Sequence, residues 1–173
     1  MVDGMESART RRNLLERLGA KIPGFKGYLD RELRREVDKM QRDWLAEHLD
    51  RVRAAVQDRV RDWSRSGNLA NLDLASSIDK RLDRVANRVR HADYGYSGFF
   101  DAVKIFEEEL ERLYAFDLAL MGSVETLAQR AEDLPGTASE PELRGLQDAV
   151  EAFDRQIDER ARVFEDVTKT GGA

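Results

Sequence analysis

The sequence predicts an all-α fold, an elongated antiparallel helical bundle with coiled-coil-like packing. About five helices are expected, a short first one and four long ones. Three observations carry that reading. Apolar residues recur at steps of three and four through most of the 173 residues, and no segment alternates apolar with polar as a half-buried strand does. Glycine and proline gather at a few joints. Charged residues make up 36% of the chain, against roughly 25% in an average globular domain, which fits long solvated helix faces.

The first helix is expected over residues 5–20, with Asp3 and Glu6 at capping-box spacing and a narrow stripe of Leu14, Leu15 and Leu18. KIPGFKGY (21–28) then breaks it at Pro23, Gly24 and Gly27. A second helix is expected from Tyr28 to Arg65, its stripe starting with Leu29, Leu33, Val37, Met40 and Trp44 and running on to Trp63. Gly67 stops it. The third carries Leu74, Ile78, Leu82, Val85 and Val89, and ends in YGYSG (94–98). The fourth runs in strict 4-3 spacing from Phe99 to Leu134, a heptad pattern that predicts left-handed packing. Ser139 and Glu142 form a second capping box for the fifth, which carries Leu143 through Val167. The expected organisation is a basic amphipathic helix with its Pro/Gly joint (1–27), an elongated bundle (28–168) and a frayed tail (169–173).

Short connections make neighbours antiparallel, so reflection about each loop estimates the register. About 66–72, Val85 lies near Val52; about 135–140, Phe164 lies near Leu110; about 94–98, Leu82 faces Glu111. The third helix is shorter than its neighbours. The front of the second helix and the distal hairpin of the last two are therefore expected to overhang with uncovered apolar stripes, which mark interfaces.

Composition narrows the chemistry. There is no cysteine, hence no disulfide framework, thiolate metal site or cysteine nucleophile. The two histidines, His48 and His91, lack the Glu-x-x-His spacing of a di-iron bundle, and neither a phosphate loop nor a nucleophile-elbow motif is present. No catalytic residue, metal ligand or cofactor is expected. No stretch approaches the roughly 20 apolar residues of a membrane span. MVDGMESARTRR lacks the apolar core of a signal peptide. A cytoplasmic location is the expectation.

Net charge is −5, with a gradient along the chain: +4 over residues 1–42, +1 over 43–100 and −10 over 101–173. Basic and acidic segments facing each other account for this. In particular, Glu107, Glu108 and Glu111 of FEEELER are expected beside Lys80, Arg81, Arg84 and Arg88. Asp117 stands in a seam position of an apolar heptad, where a charge must be paired or hydrogen-bonded. Reflection offers the hydroxyls of Ser76 and Ser77, with an arginine as the other partner. A register-fixing role follows, and Asp117→Leu is then expected to raise stability at the expense of specificity.

YGYSGFF concentrates Tyr94, Tyr96, Phe99 and Phe100, four of the 13 aromatics, in one turn. It either caps the bundle or docks a partner. With IPGFKGY, it resembles an uncharacterised group of bacterial helical proteins sharing an I-P-G-aromatic-x-G-Tyr opening and a Tyr-Gly-Tyr turn. That resemblance spans most of the chain and implies a helical fold, with no activity or ligand attached.

The function expected is a non-enzymatic scaffold or interaction protein that self-associates or docks on a protein partner. Docking residues would be Tyr94, Tyr96, Phe99, Phe100, Leu29, Leu33, Val37 and Met40. The alternative is an adaptor at an anionic membrane surface through Arg9, Arg11, Arg12, Arg17, Lys21 and Lys26. A third reading is an enzyme or metal-binding bundle using the acidic row. A pI of 5.2 argues against nucleic acid.

Overall fold

Long runs free of glycine and proline become long helices, and the joints fall where those residues gather. The structure is a computed structural model that describes residues 2–92, 97–101, 104–137 and 139–171. Among these residues there are six helices and no strand: α1 (Val2–Lys21), α2 (Arg34–Arg65), α3 (Leu72–Arg90), α4 (Ser97–Asp101), α5 (Glu107–Glu132) and α6 (Glu140–Gly171). No helix is long and apolar enough to cross a membrane.

Four of them form the bundle, in the spatial order α2, α3, α6, α5, with α1 laid along α5 and α4 against α6. Arg53 pairs with Asp79 and Asp83, and Arg90 with Asp50, so α2 and α3 are antiparallel. Arg160 meets Asp117 and Arg112 meets Asp166, so α5 and α6 are antiparallel too. Arg81 reaches Glu151, and Arg88 reaches Asp154 and Asp158, which makes α3 and α6 parallel. α3 and α5 therefore lie across the diagonal and do not form a hairpin. Reflection about 94–98 fails for this reason.

Two boundaries differ most from expectation, and the tail expected to fray from residue 169 is helical as far as Gly171. The second helix begins at Arg34, because residues 22–33 run as a strap back along α5, from Lys21 beside Glu125 to Tyr28 beside Tyr114. Gly27 sits at φ 79°, and a Cβ there would come within 2.3 Å of the Tyr114 hydroxyl. That contact lets the Tyr28 N–H donate to Tyr114 Oη at 3.0 Å. Helix four is split in two. Phe99 and Phe100 belong to α4, while Phe106, in extended conformation (ψ 162°), caps α5 by donating its N–H to Glu109 at 2.8 Å. Three glutamates in the first turn of α5 favour a start there through the helix dipole. The heptad spacing runs across this break because Phe99 still packs into the same core, 4.4 Å from the Phe164 ring.

The expected overhangs are absent. Buried positions run along α2 from Arg34 to Trp63, and Leu127, Leu134, Leu143 and Leu146 are buried at the distal hairpin. The strap and α5 cover the front of α2, while α3 and α2 flank the hairpin. At the two capping boxes, α1 already begins at Val2, so Asp3 lies inside the helix; Ser139 does bind Glu142, through both its N–H and its hydroxyl.

Candidate functional site

Asp117 projects from the centre of α5 into the bundle and is fully buried. Its partners are not Ser76 and Ser77, which are exposed on α3 across the diagonal. They come from α6 and the strap. Arg160 Nε donates to Asp117 Oδ1 at 2.8 Å, and the Tyr28 hydroxyl donates to Asp117 Oδ2 at 2.9 Å. The same guanidinium reaches Asp38 Oδ1 at 3.0 Å and the Tyr28 oxygen at 3.0 Å. Arg42 Nε closes the set on Asp38 Oδ2 at 2.8 Å, and its Nη1 donates to the Arg90 carbonyl at 2.6 Å. Two carboxylates thus face two guanidiniums, and all four carboxylate oxygens accept a hydrogen bond.

The shell around this network is aromatic. Tyr28 stacks on Tyr114 at 6.0 Å and meets Phe99 and Phe164 edge-on. Arg160 lies 4.4 Å from the Phe164 ring centre. Arg34, also buried, donates to the Tyr28 carbonyl at 2.8 Å and lies against the Phe99 ring.

Burial governs the titration of these groups. It raises the Tyr28 phenol well above 10, helped by the Asp117 charge, and it raises Tyr114. Burial also raises Asp117, against the pull of Arg160. For Arg160 burial acts downward, but Asp117, Tyr28 and Asp38 overcome it and hold the guanidinium well above its ordinary value. Arg34 is lowered, first by burial and then by Arg31. The network is internally paired. Each of the four carboxylate oxygens accepts a hydrogen bond from within the network, and every member is buried.

The other predicted residues divide by exposure. Val37, Phe99 and Phe100 are buried and offer no docking surface; Phe99 packs against the Tyr28 and Phe164 rings, and the Arg35 guanidinium lies over Phe100. Leu33 and Met40 are half-buried; Leu29 is 72% exposed. Tyr94 and Tyr96 lie outside the described residues. Of the basic set, Arg11 pairs with Glu107, Arg12 with Glu16 and Lys21 with Glu125, while Arg9, Arg17 and Lys26 are exposed. The side of α1 carrying Leu14, Leu15 and Leu18 packs on the core, so it is not available to a bilayer.

The acidic row faces α1 and not α3. Glu107 takes Arg11, Glu111 accepts from Ser7 at 2.8 Å, and Glu109 is a cap. Arg81 and Arg88, expected beside this row, bind α6 instead. His48 stacks on Trp44 at 3.6 Å and its Nδ1 lies 2.9 Å from the Trp44 carbonyl; His91 is exposed. Among the described residues, no group of three or more acidic or histidine side chains could hold a metal ion.

Sequence reasoning found Asp117 and named an arginine as one partner type. It missed Tyr28, Asp38, Arg42 and Arg160. A signal was present: Arg34, Asp38 and Gln41 prolong the 4-3 row of Leu45, Leu49, Val52 and Val56, so polar residues occupy core positions there. No protein-family model matches the chain, and no curated protein or solved structure matches it either.

Proposed function

We propose that the protein is a non-enzymatic helical scaffold that self-associates or docks on a protein partner. One observation carries this reading. The dense polar constellation is turned inward and buried, while three of the four large apolar side chains exposed among the described residues stand toward one end of the bundle, the fourth, Leu69, lying in the turn between α2 and α3. Met5 is 79% exposed, Leu29 72% and Phe106 42%. Ser7 beside Glu111 and Arg11 beside Glu107 bring the start of α1 to the start of α5, which Phe106 caps. Leu29 follows Tyr28, whose N–H meets Tyr114 two turns into α5. Apolar groups gathered at one end suit a contact surface. The buried network supports the same role by fixing the helix register that presents this end.

Light scattering across concentrations tests the self-associating form, using the chain and its Leu29→Glu/Met5→Glu variant. The expected result is a mass above 19.8 kDa that falls to that value in the variant. A mass of 19.8 kDa at every concentration overturns self-association. Docking on another protein is then read by chemical crosslinking in cell extract. Crosslinks that persist unchanged in the variant overturn docking through this end.

A further inference from the structure

α1 is seated more lightly than the strap that follows it. Its only extensive helix contact is with α5. Among the described side chains of α1, Leu18 alone is fully buried, with Leu14 and Leu15 half-buried. The other ties are polar: Ser7 donates to Glu111 at 2.8 Å, Arg11 lies 2.9 Å from Glu107 and Lys21 donates to Glu125 at 2.5 Å. Glu107 and Glu125 are exposed, and an ion pair in solvent contributes little.

The strap is anchored in the opposite way. Ile22, Phe25 and Tyr28 are buried in succession, and Tyr28 reaches Asp117 and Arg160. The change falls at residues 21–24. Pro23 has no N–H to carry on the helix ladder, and Gly24, at φ 86°, takes the backbone out of it. A firmly held segment thus follows a lightly held helix directly, across one short turn.

Glu111, Leu118 and Glu125 recur at intervals of seven and so share one side of α5. The two glutamates bind α1, which places Leu118, itself buried, beneath it. Lifting α1 costs the burial of one leucine and part of two more, whereas lifting the strap would break the buried network. Local openings that give up so few buried contacts lie well below the free energy of global unfolding. We propose that α1 is a hinged cover, which lifts from α5 as a unit about residues 21–24 and uncovers Leu118 while the strap and bundle stay closed. Access to this side of α5 is thereby gated by α1. The motion belongs to a single chain and is separate from association at the exposed apolar end.

The chain has no cysteine, so Leu118→Cys supplies a single thiol, and Leu120→Cys, buried on the far side of α5, supplies the control. Thiol labelling of each is followed under native conditions, with thermal unfolding confirming that each variant folds. Amide exchange is followed by NMR on the unmodified chain. Leu118→Cys should label about tenfold or more faster than Leu120→Cys. The α1 amides should exchange together, faster than those of α2 and α5, while the Tyr28 amide, bonded to Tyr114, stays protected. Leu18→Ala, added to Leu118→Cys, should speed labelling by about a further tenfold. Equal labelling at the two positions, loss of Tyr28 protection together with that of α1, or no response to Leu18→Ala overturns the proposal.

Discussion

Arg160 holds two carboxylates at once, and this decides what each substitution does. Removing one partner of a buried pair costs about 3–5 kcal/mol, because a charge is left without compensation. Arg160→Leu strands Asp117 beside Asp38 and is expected to lose that much in urea denaturation. Asp117→Leu, which sequence alone suggested would stabilise, now has the opposite sign. It leaves Arg160 and Arg42 facing Asp38 alone and takes the acceptor from the Tyr28 hydroxyl. The double variant keeps the Asp38–Arg42 pair and should cost less than the sum of the single changes.

Tyr28 adds a pH dependence. Its folded-state pKa is raised, first by burial and then by Asp117, so the unfolded chain ionises this phenol first. The contribution is complete below about pH 10 and is lost as pH climbs from there toward the folded value. The stability advantage of the unmodified protein over Tyr28→Phe should therefore shrink above about pH 10, measured by urea unfolding at stepped pH.

At the scale of elements, the strap depends on one backbone position. Gly27 and Gly67 both have positive φ, 79° and 75°, but a Cβ at Gly67 meets nothing within 4 Å. Gly67→Ala should cost the left-handed strain alone, about 1–2 kcal/mol. Gly27→Ala adds the collision with the Tyr114 ring and hydroxyl, about 1–3 kcal/mol more by the usual penalty of overpacking. Thermal unfolding of the two variants separates the terms. Helices α2, α3 and α6 were legible in the sequence because nothing in their interiors contradicts the 3.6-residue period. The strap was not, since Leu29 and Leu33 continue the spacing of the helix that follows, and spacing alone cannot show that Tyr28 enters the core from a non-helical bend. The break before α5 was hidden in the same way, because Phe99 keeps heptad phase with Leu110 across it.

Across the whole molecule, local registers were readable and the diagonal was not. The ion pairs of Arg53 with Asp83 and Arg160 with Asp117 fall on the hairpin registers that reflection about 66–72 and 135–140 predicts, the second to within a helical turn. Ser76 and Ser77 were misplaced because the segment joining α3 to α5 is a crossover carrying α4, and no helical periodicity reports whether neighbours in sequence are neighbours in space. The basic front and acidic back of the chain do meet, at Arg11 with Glu107 and Lys21 with Glu125.

Four of the network's five residues also have a consequence in time. Tyr28 and Asp117 are 89 residues apart in the chain, Asp38 and Arg160 122, and Tyr28 and Arg160 132. Contacts that distant require large loops to close first, whereas the α2–α3 and α5–α6 hairpins form from local pairs. The two hairpins must meet before Arg160 can find Asp38, so the network belongs to the late side of the folding barrier. Stopped-flow measurements on Arg160→Leu should show its destabilisation mainly as faster unfolding, with the refolding rate nearly unchanged. The interior charges then act as a latch on an assembled bundle, setting how long it persists more than how quickly it forms.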